Sequence, residues 1–259
     1  MDNQPIAIID SGLGGLAIAQ AIWQQLPCQS TLYLADHEFF PYGNQTTITI
    51  NRRLIAIFKF LLKKNCKTVV VACNTITANS IKFLRDLFPL PIIGIEPAIK
   101  PAIQANLKEN ILVWVTPKTI ASFSFQSLCK QLDQRGQIKS LALPNLAYEI
   151  ETKSKSTIKL IIKNLISKNP QPYSALVLGC THYILIKDII KKLLPPHVII
   201  IEPSQAVAVQ TEKVLIKKRL VSANLPAKKI FYTTGNPVAV TKKASALLAS
   251  RIIFKACSL

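Results

Sequence analysis

The chain has 259 residues, 49% of them hydrophobic, which is enough for one large or two modest folded domains and excludes an intrinsically disordered protein. Its 32 lysines and arginines against 13 aspartates and glutamates give a formal net charge of +19, but they are dispersed and aromatic residues make up only 7%, so we do not expect nucleic-acid binding as the main function. No apolar run reaches the ~18 residues of a membrane span, and the first residues lack the basic stretch of a signal peptide, so we expect a cytoplasmic protein. Six cysteines without a CxxC pair and only three histidines favour free thiols over disulfides or a metal site.

Short apolar runs alternate along the chain with stretches of helical periodicity, the pattern of an α/β protein with parallel sheets. The predicted strands are residues 6–9, 31–35, 68–72, 92–95, 111–115, 140–143, 175–178, 198–201 and 230–233. The predicted helices are residues 15–26, 47–64, 78–88, 122–134, 157–168, 185–194 and 206–220. Ligands bind such sheets at the carboxyl ends of the strands, where the polar motifs of this chain lie.

The first motif, Asp-Ser-Gly-Leu-Gly-Gly at residues 10–15, follows the first predicted strand. The chain has only 8 glycines, three of them here, and a chain poor in glycine retains it where a side chain does not fit. A glycine turn before a helix presents backbone N–H groups to an anion, either a phosphate or a carboxylate. Asp10 is either a functional acid or a helix cap, and the motif alone leaves both open.

Two later motifs each place a cysteine directly after a predicted strand. In Ala-Cys-Asn-Thr, residues 72–75, Cys73 stands at a helix start, where the helix N-terminus lowers the pKa of a thiol; the alternative is a buried structural cysteine. In Gly-Cys-Thr-His-Tyr, residues 179–183, His182 follows Cys180 closely enough to orient the thiol or exchange a proton with it.

Two strand-end cysteines from different halves of the chain predict two similar half-domains that face each other, each with one thiol. Such thiols can remove a proton from one face of a carbon atom and return one to the other face, which inverts a stereocentre without a redox step. Disulfide exchange is the alternative, but that chemistry prefers CxxC spacing. The other four cysteines lack comparable surroundings.

These motifs, in this order and over nearly the whole chain, resemble those of the glutamate racemases in the two-cysteine aspartate/glutamate racemase superfamily. The resemblance extends to residues 33–36 with Pro-Tyr-Gly at 41–43, to residues 97–102 after Gly94, and to a threonine-containing loop at 116–122. It implies that the enzyme interconverts L- and D-glutamate by two-base proton transfer at the α-carbon, without a cofactor or metal. The D-glutamate would supply peptidoglycan synthesis.

The resemblance also implies a role for each matching residue. Cys73 and Cys180 would be the acid/base thiols, assisted by Asp10 and His182 respectively. A glutamate would also line the site, at Glu151 or, as the weaker option, at Glu149. The residues that would hold the ammonium and carboxylate groups of the substrate are Ser11, Tyr42, Gly43, Asn74, Thr75, Thr116, Thr119 and Thr181.

By the same resemblance, we expect two α/β domains with mostly parallel sheets across an active-site cleft, one formed by residues 1–96 with 209–259 and the other by 97–208. It implies a homodimer or a monomer–dimer equilibrium. Residues 97–102 resemble the branch of the family in which a cell-wall precursor acts as activator. Two alternatives stay open: an aspartate or broad-specificity racemase of the same superfamily, and a basic protein that binds DNA or gyrase on this fold without turnover.

Overall fold

The computed structural model describes residues 4–105, 109–169, 172–222, 227–248 and 250–259. Its strands are β1 (Ile6–Asp10), β2 (Thr31–Ala35), β3 (Thr68–Val71), β4 (Ile92–Gly94), β5 (Asn110–Val115), β6 (Ile138–Ala142), β7 (Tyr173–Leu178), β8 (Ile199–Ile201), β9 (Lys229–Thr233) and β10 (Phe254–Ala256). Its α-helices are α1 (Leu16–Gln25), α2 (Thr47–Lys63), α3 (Asn74–Leu87), α4 (Ile99–Gln104), α5 (Pro117–Ile120), α6 (Phe123–Leu132), α7 (Leu146–Thr152), α8 (Lys155–Ser167), α9 (Thr181–Ile184), α10 (Lys187–Leu193), α11 (Ser204–Lys217) and α12 (Pro237–Leu248).

The strands form two sheets, a six-stranded one in the order β10-β9-β2-β1-β3-β4 and a four-stranded one in the order β6-β5-β7-β8. All neighbouring strands pair in parallel. The predicted fold class is therefore confirmed. Within the described ranges, no helix is both long and apolar enough to cross a membrane.

Both sheets are covered by helices on both faces, which explains why their central strands are continuous apolar runs rather than alternating ones. In β1, Ile6 and Ile8 belong to one buried cluster, whereas Ala7 and Ile9 belong to the cluster on the opposite face. In β5, Trp114 and Val113 divide in the same way between the two faces of the second sheet. The two-residue period of the strand sends successive side chains to opposite sides.

The structure departs from the predicted elements mainly where short or polar segments fold against a sheet. Helix α3 begins at Asn74, four residues before its predicted start, with the polar residues of its first turn buried at the end of β3. The predicted helix at 185–194 corresponds to α10, and the short helix α9 before it, which starts at Thr181, was not predicted. Strand β10 has only three residues and was not predicted; it completes the edge of the first sheet against β9.

The chain leaves the first sheet after β4, builds the second sheet from β5 to β8, and returns to the first sheet with β9. Helix α11 lies at the return, and its Val207, Ala208 and Leu215 pack with Ile18 and Ile22 of α1 on the first sheet. The division into 1–96 with 209–259 and 97–208 stays a proposal, and Val207 and Ala208, at its second boundary, lie against the first sheet.

Candidate active site

Asp10 ends β1 and is 1% exposed. One carboxylate oxygen, Oδ1, accepts the backbone N–H of Gly12 at 2.8 Å, and Oδ2 accepts the hydroxyl of Thr181 at 3.0 Å. Residue Gly15 occupies the N-cap position of α1 without a side-chain cap, so Asp10 does not cap that helix. Burial raises the pKa of Asp10 above its ordinary value, and His182 opposes that shift.

Two glycines of the first motif, Gly12 and Gly14, are needed because the turn passes directly against α9 and α7 of the other half of the chain. A Cβ on Gly14 would lie 2.5 Å from Nδ1 of His182 and 2.6 Å from Oγ1 of Thr181. A Cβ on Gly12 would collide with Oε1 of Glu151. Contact with α9 and α7 accounts for Gly12 and Gly14, and the N–H of Leu13 between them donates to a carboxylate, that of Glu151.

Cys73 precedes α3 and is 6% exposed, with its sulfur 4.0 Å from the hydroxyl of Ser11. Burial and the carboxylate of Asp10 raise the pKa of this thiol well above its ordinary value. The backbone N–H groups of Ile76 and Thr75 act in the opposite direction, as predicted for a helix N-terminus, but they are outweighed. A charge on Cys180 also raises the pKa of Cys73, so the two thiols are close enough to interact.

Cys180 lies just before α9, and its sulfur is 4.0 Å from Nδ1 of His182. The other ring nitrogen, Nε2, is 2.6 Å from Oε1 of Glu151. Burial lowers the pKa of His182, but the contacts with Cys180 and Glu151 outweigh burial and raise it well above the ordinary value. His182 therefore presents an imidazolium N–H to the Cys180 sulfur.

Glu151, on α7, is held by donors from three separate segments. Its Oε1 accepts a hydrogen bond from the backbone N–H of Leu13 at 2.6 Å and another from Nε2 of His182. Its Oε2 lies 3.0 Å from Nε2 of His37. Burial raises the pKa of Glu151, but the two histidines outweigh it and hold the pKa well below the ordinary value. Of the two glutamates considered from the sequence, Glu151 is the one in contact with His182.

The pKa shifts of Glu151 and His182 predict how the free energy of unfolding depends on pH. A depressed carboxylate pKa stabilises the fold above the unfolded value of 4.5, and a raised histidine pKa stabilises it below the unfolded value of 6.5. Their joint contribution is therefore largest between these pH values and declines as the pH rises towards the folded pKa of His182.

We expect Glu151→Gln to reduce the free energy of unfolding more at about pH 5.5 than at about pH 9, by on the order of 1 kcal/mol. Urea denaturation at the two pH values measures this difference. Glu149→Gln, on the same helix, is the matched control and should show no such pH dependence. An equal loss for Glu151→Gln at both pH values would contradict the assigned ion pair.

Threonine side chains link α3 to the loop after β5. The hydroxyl of Thr75 is 3.0 Å from that of Thr116, which is 2.9 Å from that of Thr119. Between Cys73 and Thr75, the amide of Asn74 is buried, and neither of its polar atoms has a hydrogen-bond partner among the described residues. An unpaired buried amide is costly unless a ligand satisfies it, which makes Asn74 a candidate ligand contact.

Tyr42 and Gly43 reach the site in a different way from the other predicted residues. The Tyr42 hydroxyl donates to Oδ2 of Asp36 at 2.5 Å, and Arg53 binds the same carboxylate at 2.7 and 3.0 Å. The proton of that hydroxyl is therefore donated within the protein. The backbone of Gly43 lies against Thr116, where a Cβ would be 3.4 Å from the threonine Cβ.

The sequence predictions missed Asp36 and His37 as site residues. Both directly follow β2, which neighbours β1 in the sheet. The rule that found Asp10 and Cys73, polar residues at the carboxyl ends of adjacent strands, would have found these two as well. No group of three or more potential metal-ligating side chains is found in the part of the chain that the structure describes.

Two thiols at the strand ends of different sheets interact electrostatically, one near a carboxylate and the other facing an imidazolium; this arrangement suits an isomerase that moves a proton between the faces of a carbon atom. The chain belongs to the Asp/Glu/hydantoin racemase family, whose model matches residues 15–211.

Within this family, the chain is similar to proteins named as glutamate racemases. Over 254 residues, covering 95% of this chain and 97% of the relative, the sequence is 36% identical to glutamate racemase of Clostridium novyi. The crystal structure of a glutamate racemase isoform from Bacillus anthracis superimposes with a TM-score of 0.89 at 32% identity, covering 99% of this chain and 98% of that one. The Escherichia coli glutamate racemase, in complex with L-glutamate and the activator UDP-MurNAc-Ala, gives a TM-score of 0.84 at 26% identity, covering 98% and 97% of the two chains.

Proposed function

We propose that this isomerase interconverts L- and D-glutamate, with Cys73 and Cys180 as the acid/base groups on opposite faces of the α-carbon. The observation that carries the proposal is the electrostatic interaction between two thiols that each stand at the end of a strand from a different sheet. The names of the relatives favour glutamate over aspartate, and an enzyme over a DNA-binding protein on the same fold.

In one direction, the thiolate of Cys180 removes the α-proton, and the electron pair of the broken C–H bond remains on the substrate as a carbanion. The thiol of Cys73 then gives its proton to the opposite face and becomes the thiolate. The imidazolium of His182 stabilises the negative charge on Cys180 before the reaction, and the N–H groups of Thr75 and Ile76 stabilise it on Cys73 afterwards. The reverse reaction exchanges the two roles.

The substrate groups would be bound by polar residues that surround the thiols. The unpartnered amide of Asn74 supports a role in binding, as does the linked set of hydroxyls at Thr75, Thr116 and Thr119. Thr181, whose hydroxyl donates to Asp10, is a further proposed contact to the substrate. Ser11 and the backbone at Tyr42 and Gly43 complete the proposed contacts to the ammonium and carboxylate groups.

Incubation with L-glutamate in D2O without added cofactor tests this function. We expect the circular dichroism signal to decay to zero while deuterium enters the α-carbon, and we expect L-aspartate, run in parallel, to keep its signal. Prior nuclease treatment should leave the turnover unchanged. Retention of the glutamate signal, with or without a cell-wall precursor, would contradict the proposal.

The proposal extends to the partners and the cellular setting of the enzyme. The E. coli relative binds UDP-MurNAc-Ala as an activator, which supports a cell-wall precursor as an activator here and a cytoplasmic role in supplying D-glutamate for peptidoglycan. Phe123 and Val238, 84% and 77% exposed, are available for a subunit contact in a homodimer or a monomer–dimer equilibrium.

A further inference from the structure

The sequence Thr-Thr-Gly at residues 233–235, at the carboxyl end of β9, has no part in the mechanism above, yet it contacts the segment that follows β2. The hydroxyl of Thr233 is 2.9 Å from Nδ1 of His37. The hydroxyl of Thr234 donates to Oδ1 of Asp36 at 2.8 Å. A Cβ on Gly235 would lie 2.7 Å from Cβ of His37, so glycine leaves the room that the histidine needs. The end of β9 therefore fixes the position of His37.

The contacts of His37 show which of its nitrogens serves Glu151. The oxygen of Thr233 accepts the backbone N–H of Gly235 at 3.1 Å and lies 2.9 Å from Nδ1 of His37, whereas the ionised carboxylate of Glu151 can only accept. Nε2 then carries a hydrogen and donates it to Oε2 of Glu151 at 3.0 Å. The ring of Phe40 packs near both His37 and His182, at 6.0 and 5.1 Å between ring centres.

We propose that His37 is a positioning residue that acts on the Cys180 thiol through Glu151 and His182. This inference rests on the acid/base role proposed for Cys180. The donor from His37 fixes Oε2 of Glu151 and thereby directs Oε1 towards Nε2 of His182. With Nε2 held in this way, Nδ1 of His182 faces the Cys180 sulfur, where it exchanges or shares a proton.

The charges around Glu151 make this donor important. His182 and His37 favour its ionised form, whereas burial and the negative charge of Asp10 oppose ionisation. Tyr33 also lies within electrostatic range of Glu151 and Asp10. Without the His37 donor, the carboxylate keeps one histidine and the Leu13 N–H against the same burial, so it accepts a proton at higher pH.

A pair of substitutions separates the two nitrogens of His37. The amide nitrogen of glutamine occupies approximately the place of Nε2, so His37→Gln retains a donor towards Glu151. The amide of asparagine occupies the place of Nδ1, so His37→Asn retains the contact with Thr233 and loses the one with Glu151. His197→Asn makes the same chemical change at an exposed histidine and is the matched control.

We expect kcat/KM for glutamate racemisation to fall about tenfold in His37→Asn, equivalent to about 1.4 kcal/mol, and to stay within about threefold of the wild type in His37→Gln and His197→Asn. The acidic limb of the pH profile should move to higher pH in His37→Asn alone. Because only the Cys180 side is altered, the primary deuterium isotope effect should rise for one enantiomer of α-deuterated glutamate and fall for the other.

An unchanged pH profile in His37→Asn, or a glutamine variant as impaired as the asparagine variant, would overturn the role of His37. Thermal melting of each variant identifies any loss of the fold itself. The wild-type enzyme separates this inference from the function on which it rests. If the wild type does not racemise glutamate, the proposed function fails; if it does and the His37 variants behave alike, only the role of His37 fails.

Discussion

Replacing either active-site thiol with a hydroxyl should nearly abolish racemisation: we expect Cys73→Ser and Cys180→Ser each to reduce kcat by on the order of 10³-fold or more. An alcohol is far less acidic than a thiol, so serine neither removes the α-proton as its anion nor gives up its own proton readily. Circular dichroism with L- and with D-glutamate as the starting material measures the loss.

The two variants should differ in what they retain. Cys180→Ser keeps the thiol on the Cys73 face and Cys73→Ser keeps the other, so each should still exchange the α-hydrogen of one enantiomer with D2O, and the enantiomers should be opposite. Cys28→Ser, at a half-buried cysteine outside the site, is the control and should leave turnover unchanged. Near-normal racemisation by either active-site variant would refute the two-thiol assignment.

The surroundings of the two thiols are complementary rather than alike. Cys73 has the carboxylate of Asp10 nearby, which opposes a negative charge, whereas Cys180 faces the imidazolium of His182, which favours one. A pair of groups with opposite electrostatic environments is suited to hold one proton between them, with one group acting as acid while the other acts as base. In the proposed reaction, each thiol acts as the base in one direction and as the acid in the other.

Much of the fold was predictable because the central strands are buried on both faces. The run at β1 is apolar up to its last residue, Asp10, and the run at β2 is apolar or aromatic after its first residue, Thr31, so their positions follow from the sequence, and the polar motifs follow from the strand ends. Helix α12 and strand β10 were not predicted, since α12 has two buried residues, Val240 and Ala244, and thus a weak apolar period, and β10 has three residues stabilised by pairing at a sheet edge.

The parts of the site that the sequence could not resolve depend on contacts between distant segments. Helix α7 has seven residues, too few for periodicity to choose between Glu149 and Glu151; the choice is made by Leu13, His37 and His182, which reach Glu151 from three other segments. The direction of the pKa shift of Cys73 could not be predicted from the sequence either. Burial and Asp10 raise this pKa and outweigh the effect of the helix N-terminus, which is the only effect that the local sequence suggests.

The close approach of the two halves predicts that the smallest possible side chain at Gly14 disables the enzyme. In Gly14→Ala, the added methyl group would overlap Nδ1 of His182 and Oγ1 of Thr181, so α9 must shift by several tenths of an ångström or more. The shift would move the Cys180–His182 pair away from the substrate and break the hydrogen bond from Thr181 to Asp10. Since a displacement near 1 Å at a reacting group costs about 10²-fold, we expect kcat to fall by about 10- to 100-fold.

The same substitution should also destabilise the fold, by about 1–3 kcal/mol for an overpacked contact, so activity and stability must be measured together. Gly136→Ala provides the comparison. Gly136 has φ +69° and no neighbour within 4 Å of an added Cβ, so alanine there strains the backbone by about 1–2 kcal/mol without touching the site. Urea denaturation should show comparable losses of stability in the two variants, whereas racemisation should fall only in Gly14→Ala. If both variants lose activity in proportion to their loss of stability, then close packing of the glycine turn against α9 serves the fold and not the geometry of catalysis.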